Sequence, residues 1–310
     1  MKQYFRVMLG AKSAFAAECL RDGFIGTDFG ISEDLSKNLP DSWREFNKKY
    51  IPVFLKAHPE KTKIGAGLAC GALWTVSKGI KRGDIVLSPD GSGSYLVGEV
   101  LGDYFYAPTG VLPHRRKIAW RTQLIPRSAM SEPLQNSTGS IGTVSDVTKH
   151  GQEVEGLISG SGVVVPRIIA SDPDIEDPSA FALEEHLESF LVKNWDKTPL
   201  AKDFAIFEEE GEQVGQQYST DAGIIDVLAV SHDRKRILII ELKRGRVSDV
   251  VVGQVLRYMG YVREQIAESN QTVEGVIIGL EDDQKLKWAI SSVPSISFYR
   301  YKIDFELEQS

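Results

Sequence analysis

Asp226 stands in IIDVLAV, and Glu241 and Lys243 close the run ILIIELK, so each charged residue interrupts an otherwise apolar stretch. A lone carboxylate in apolar surroundings is costly to keep charged and normally has a partner or a metal. Glu241 and Lys243 are two residues apart, so on a strand they project from one face. If 224–230 and 236–243 pair as a hairpin through the turn Ser231-His232-Asp233-Arg234, Asp226 lies beside Glu241. Two adjacent carboxylates repel unless a cation lies between them. Mg²⁺ (or Mn²⁺) suits that gap, because it takes one or two carboxylates and completes its shell with waters and phosphate oxygens. It would acidify an attacking water and offset charge on a scissile phosphate, while Lys243 would orient that water or neutralise developing charge. The alternative is an ordinary cross-strand ion pair between Asp226 and Lys243.

Further residues support the chemical reading. Gln254 and Tyr258 lie four apart on the next expected helix and share a face that can look back at the carboxylates. Arg257 falls on a neighbouring face. Glu184 and Glu188, also four apart, lie on the preceding expected helix, and either could add a third acid; a solvated helix flank is the alternative for both. Arg244 and Arg246 follow Lys243 directly and are expected to contact DNA.

These residues need a scaffold. Apolar spacing predicts a helix over 181–194 and short strands near 203–208 and 212–218. The two apolar strands follow, then a helix over 248–268, a strand at 274–280, a helix at 282–290 and a last strand at 296–301. That order, αβββαβ, makes an α/β sandwich around one mixed sheet. The first half is dense in glycine, aromatics and turns. Strands are expected at 4–9, 84–88, 95–100 and 116–120, with Asp90-Gly91-Ser92-Gly93 turning a hairpin. Helices are expected at 13–22 and 43–57, the second kinked or ended by Pro52. Tyr104-Phe105-Tyr106 takes no firm assignment. The pattern is mainly β and barrel-like. Residues 150–178, with Ser159-Gly160-Ser161-Gly162 and SDPDIEDPSA, read as a hinge. The expected organisation is therefore an α+β chain of two domains, 1–160 and 178–310, joined by a linker at 161–177.

Charge is divided unevenly. Residues 1–160 carry 20 Lys+Arg against 16 Asp+Glu, a balance of +4, whereas 161–310 carry 16 against 27, or −11. Phosphate neutralisation drives non-specific affinity, so the basic half is the natural DNA anchor. Within it, His114-Arg115-Arg116 reads as a phosphate clamp. Trp74, Tyr104, Phe105, Tyr106 and Trp120 are candidate walls of a base pocket, with barrel core as the alternative for each. Gly65-Ala66-Gly67-Leu68-Ala69-Cys70-Gly71 nearly spells a dinucleotide fingerprint, but its last glycine is one residue late and no apolar strand precedes it. No phosphate-binding Walker loop, zinc-ligand spacing or membrane-length apolar run is present, and no signal segment is expected from MKQYFRVMLG. Cys19 and Cys70 are expected to be reduced, as in a cytoplasmic protein.

The stretches FALEEHLESFLVKNW, GQQYSTDAGIIDVLAV, ILIIELKRGRVSDVVVGQVLRYMGYV, TVEGVIIGLEDD and FYRYKIDFEL resemble the nuclease domain of the NucS (EndoMS-like) endonucleases, over about residues 178–308. The resemblance implies a restriction-endonuclease-like, PD-(D/E)XK fold. Asp226, Glu241, Lys243, Gln254 and Tyr258 would then hold catalytic and supporting roles, with an acid, Glu184 or Glu188, on the preceding helix. The first half is similar instead to domains fused to Mrr-like restriction enzymes and to the PUA/EVE type of small β-barrel, carried by YFRVMLGAKSAFAAECLRDGFIGTDFG, IKRGDIVLSPDGSGSYLVGEVLGDYFYAP and HRRKIAWRTQLIPRSAM. Such barrels hold a flipped base in an aromatic pocket. The resemblances imply a Mg²⁺-dependent endonuclease acting on double-stranded DNA. A modification-dependent (type IV-like) restriction enzyme of phage defence is expected first. A mismatch or branched-DNA repair nuclease comes second, and a non-cutting reader of modified nucleic acid third. A duplex cut needs two active sites or two successive nicks, so a homodimer is expected.

Overall fold

The computed structural model describes residues 2–139, 142–160, 187–209 and 212–302. The chain divides into two compact units, Met1–Ile168 and Ile169–Ser310.

The first unit runs β1 (Tyr4–Val7), α1 (Ala16–Asp22), β2 (Phe24–Thr27), α2 (Trp43–Ala57), α3 (Lys63–Trp74), β3 (Ile85–Pro89), β4 (Ser94–Tyr106), β5 (His114–Trp120), β6 (Ile125–Pro126), α4 (Glu132–Gly139), β7 (Val144–Asp146) and α5 (Gly151–Ser159). Its seven strands form one sheet ordered β2-β5-β4-β3-β1-β7, with β6 also on β4. Only the β1–β3 pair is parallel. Side chains alternate between faces. Phe5, Val7, Val86, Leu96 and Val100 enter one core with α1, while Tyr4, Ile85, Leu87, Tyr95 and Val97 enter another with α4 and α5. A sheet buried on both faces, running as an open path from β2 to β7, is a layered arrangement; among the described residues no ladder closes the expected small barrel.

Between β2 and β3 the chain inserts the helical pair α2–α3 over its own core of Ile31, Leu35, Phe46, Tyr50, Phe54 and Leu73. Helix α2 is capped by Ser42, whose side chain accepts the Glu45 amide, and runs through Pro52 to Ala57 rather than ending there. The near-fingerprint glycines belong to α3, where a side chain at Gly71 would collide with the Trp43 ring, so Gly71 serves close helix packing. The expected hinge also begins later than its composition suggested. Residues 151–159 are the helix α5, which packs Val154, Leu157 and Ile158 against the sheet.

The second unit contains a helix over 187–193, here α6, followed by β8 (Phe204–Ile206), β9 (Gln216–Thr220), β10 (Gly223–Ser231), β11 (Arg236–Leu242), β12 (Arg246–Val247), α7 (Val250–Tyr261), β13 (Thr272–Gly279), β14 (Glu281–Asp282), α8 (Gln284–Ser291) and β15 (Ile296–Arg300). The main sheet is ordered β15-β13-β11-β10-β8, with β9 also on β10. The β8, β9, β10 and β11 ladders are antiparallel, and β11, β13 and β15 are parallel. Leu238, Ile240 and Leu242 face a core shared with Trp195, Leu200 and Phe204; the alternate residues of β11 face α7. Beside this sheet the short parallel pair β12–β14 follows the end of β11.

Candidate active site

The β10–β11 register sets Val227 opposite Ile240, so the next rung brings Asp226 against Glu241. There the regular ladder gives way: Asp226 Oδ2 accepts the Leu242 amide at 2.8 Å, so a carboxylate takes a backbone group's place and holds the two strand ends together. Glu241 is 2% exposed. Its Oε1 accepts from Lys243 Nζ at 3.0 Å and from Gln254 Nε2 at 2.7 Å. The amide of Gln254 also reaches the Tyr258 hydroxyl at 3.4 Å. The expected set therefore converges: two carboxylates on one rung, an ammonium two residues on, and an amide and a phenol from the facing helix.

The β9–β10 turn seats Tyr258. Gly223 has φ +121°, a conformation glycine adopts without strain, and a Cβ there would stand 2.9 Å from the Tyr258 hydroxyl. Arg257 Nε donates to the Ala222 carbonyl at 3.1 Å while its guanidinium lies 5.3 Å from the Tyr258 ring centroid. The sequence placed Arg257 on the adjoining helix face; its hold on the turn depends on a contact across 35 residues and has no local signal.

Glu188, on α6, is buried, and its carboxylate accepts the side-chain amides of Gln216, at 2.8 Å, and Gln217. The β9–β10 register sets Gln216 opposite Val227 and Tyr218 opposite Ile225, which puts Gln217 across from Asp226. Gln217 has φ +51°, uncommon for a residue with a side chain. The row across the sheet is therefore Gln217, Asp226, Glu241, with Glu188 bound to its outer member. Gln216 and Gln217 were not singled out from sequence; only the β9 register gives them meaning. Glu184 lies outside the described residues.

Among the described residues no group of three or more His, Cys, Asp and Glu gathers as a metal cage. A pair of carboxylates fits Mg²⁺ or Mn²⁺, which draw the rest of their shell from water and phosphate, better than Zn²⁺, which wants three or four protein donors. Arg246 is exposed on β12 and Arg244 half-buried beside it. Their loop is fixed by the Leu280 amide on the Gly245 carbonyl at 3.2 Å and by the Tyr301 hydroxyl on the Arg244 carbonyl.

The first unit overturns the expected phosphate clamp. Strand alternation turns His114 and Arg116 into the protein. His114 is fully buried, with Nε2 2.7 Å from the Ile31 carbonyl and Nδ1 2.9 Å from the Tyr104 hydroxyl; burial lowers its pKa. The Arg116 guanidinium donates to the carbonyls of Val76 (2.5 Å), Ser77 (2.8 Å) and Gly102 (3.2 Å). Arg115 donates to the Val111 and Leu112 carbonyls and lies over Phe24. All three side chains are committed to the backbone.

Nor do the five aromatics form one pocket. Tyr104 and Tyr106 approach His114, and Tyr104 and Trp74 pack on the helical-pair core. Phe105, between two tyrosines on one strand, points to the opposite face. Trp120 packs on the α1 core and donates to the Cys19 carbonyl at 2.8 Å. Both cysteines are free and buried, and burial pushes each thiol up to about 12.

The second unit is thus a mixed-sheet α/β unit with an acid pair, a lysine and an amide gathered at the end of its β10–β11 hairpin. Residues 197–286 match the family described as the endonuclease NucS C-terminal domain, and residues 5–148 match a domain of unknown function, DUF8426. Similar solved structures include EndoMS in a complex with double-stranded DNA (13% identity, TM-score 0.32, covering 68% of this chain and 62% of that one). A repair endonuclease from Pyrococcus abyssi is also similar (16%, 0.31, 69% and 66%). The chain spans less than two thirds of the length of either. No curated protein matches it. No helix among the described residues is long and apolar enough to cross a membrane.

Proposed function

We propose that this chain is a metal-dependent DNA endonuclease of the PD-(D/E)XK type, with Asp226 and Glu241 holding Mg²⁺ or Mn²⁺. The observation that carries this reading is the shared rung of Asp226 and Glu241, with Lys243 and Gln254 both bound to Glu241 Oε1. The ion, when bound, supplies acidification of water and charge neutralisation at the scissile phosphate. Asp226 keeps the strand ends together through the Leu242 amide. Gln254, itself bonded to the Tyr258 hydroxyl, holds the Glu241 carboxylate, so its orientation is set before substrate arrives. Lys243, one third exposed, holds a positive charge where negative charge grows on the phosphate. In the hydrolysis, water oxygen forms the new bond to phosphorus, one ester oxygen leaves, and a proton passes to that leaving group.

For the substrate, we favour duplex DNA with a mismatch or branch, because the match over 197–286 is to a NucS nuclease domain. Modification-dependent restriction in phage defence is the second reading, supported by a first half that matches a separate family over residues 5–148. A homodimer would supply both cuts of a duplex.

The test is cleavage of mismatched, branched, base-modified and plain duplexes of one sequence, with Mg²⁺ and with chelator. Metal-dependent cutting that prefers the aberrant duplexes is expected. Preference for the modified duplex would favour restriction, and absence of any metal-dependent cleavage would remove the nuclease reading.

A further inference from the structure

With His114, Arg115 and Arg116 committed to backbone carbonyls, the basic surplus of the first unit must act elsewhere. Its position is sharply defined. Residues 43–63 carry Arg44, Lys48, Lys49, Lys56, Lys61 and Lys63 against Glu45 and Glu60, a balance of +4. The rest of residues 1–160 then holds 14 basic and 14 acidic side chains. The helical insertion alone accounts for the whole excess.

The insertion also has the geometry of a contact surface. Helix α2 buries Phe46, Tyr50, Ile51 and Phe54, leaving Arg44, Lys48, Lys49 and Lys56 exposed on its outer half. The one acid of α2, Glu45, lies in its first turn; from Phe46 to Ala57 the outer face carries no negative charge. Arg44 to Lys56 spans roughly 18 Å along the axis at 1.5 Å per residue. A duplex presents one phosphate charge per about 1.7 Å, so a stretch that long faces on the order of ten phosphates. Lys49 pairs with Glu33 at 3.8 Å, an exposed pair that a phosphate can displace.

We infer that the outer face of α2 is the duplex-binding surface of the first unit, with Arg44, Lys48, Lys49 and Lys56 contacting backbone phosphates. This rests on the reading of the chain as a DNA endonuclease. Phosphate contacts carry no sequence information. The face would therefore raise affinity for any duplex alike and leave discrimination to other groups.

The experiment compares full-length wild type with the quadruple variant R44A/K48A/K49A/K56A and with the control K117A/R121A, which removes two exposed cations elsewhere on the unit. Duplex affinity is measured across a salt series. The quadruple variant should bind at least about tenfold more weakly near 0.1 M salt, and its log–log salt slope should flatten by up to about 3.6, near 0.9 for each of the four phosphates no longer neutralised. The control should change neither. K48R/K49R/K56R, which keeps the charges, should bind like wild type. Unchanged affinity and slope in a folded quadruple variant would overturn the inference, as would an equal loss in the control. So would a loss confined to single-stranded RNA or anionic vesicles. Wild-type cleavage with Mg²⁺, read on the same duplex, reports separately on the endonuclease reading: cutting with no effect of the quadruple variant sinks the surface alone.

Discussion

Both units bury ionisable side chains in strands, and they do so for opposite ends. In the first, Arg116 lies on β5 with backbone carbonyls as partners: it satisfies fixed acceptors that would otherwise be stranded. In the second, Glu241 lies on β11 with an ammonium and an amide as partners, on the same rung as another carboxylate. A buried charge answered by main chain is a structural fastening. A buried charge answered by other polar side chains, with a like charge beside it, is the arrangement on which the proposed metal site rests. Burial alone does not separate the two cases; the partners do.

That contrast breaks most visibly at Glu241. Glu241→Gln keeps the shape and an acceptor but removes the charge, so cleavage should fall at least about 1,000-fold, equivalent to roughly 4 kcal/mol of barrier, with duplex affinity retained. Near wild-type turnover would put Glu241 in the same class as Arg116. Next in size is Arg116→Ala, which strands three carbonyls and opens a cavity. The first unit should lose about 3 kcal/mol of stability, read by denaturant melting, while the folded fraction binds DNA as before. Weaker DNA binding without lost stability would restore the phosphate-clamp role.

Acid should separate the units as well. Burial holds the His150 imidazole, 3.0 Å from Ser137 Oγ, down at about 3, and it lowers His114 in the same direction. These histidines stay neutral in the folded state while the unfolded chain takes up protons below about 6.5. Their contribution is therefore full above that pH and is lost as pH falls toward about 3. At pH 5 the first unit should be destabilised by on the order of 2 kcal/mol from His150. Simultaneous acid melting of both units would contradict this. The smallest effect is expected at Gly223→Ala, which crowds the Tyr258 hydroxyl and strains a positive φ. Turnover should drop about tenfold, or 1.4 kcal/mol, with metal affinity little changed; unchanged turnover would remove Tyr258 from the site's support.

What the sequence made legible follows the same division. Asp226, Glu241, Lys243, Gln254 and Tyr258 could be grouped because each is set by local spacing on a strongly apolar strand or an amphipathic helix. Helix α3 could not, because Gly65, Gly67 and Gly71 are poor helix formers, and the packing of Trp43 on Gly71 has no local signal. His114-Arg115-Arg116 read as a phosphate clamp. Pairing of β5 with β2 on one side and β4 on the other makes it interior, and that pairing spans about 90 residues on the β2 side. Helix α5 was hidden by the flexible composition just beyond it. Glu188 was legible as a candidate, but its link through Gln217 to the Asp226 rung required the β9 register.

The central claim, that the acid pair is kept for a metal and not for the fold, is tested most directly by melting Asp226→Asn with and without Mg²⁺ and assaying its cleavage. The asparagine oxygen can still accept the Leu242 amide while the repulsion with Glu241 is relieved. The variant should therefore melt in chelator at or above the wild-type temperature, gain nothing from Mg²⁺ where wild type gains, and fail to cut DNA. A variant that melts several degrees lower and still cleaves would make the pair structural and contradict the account.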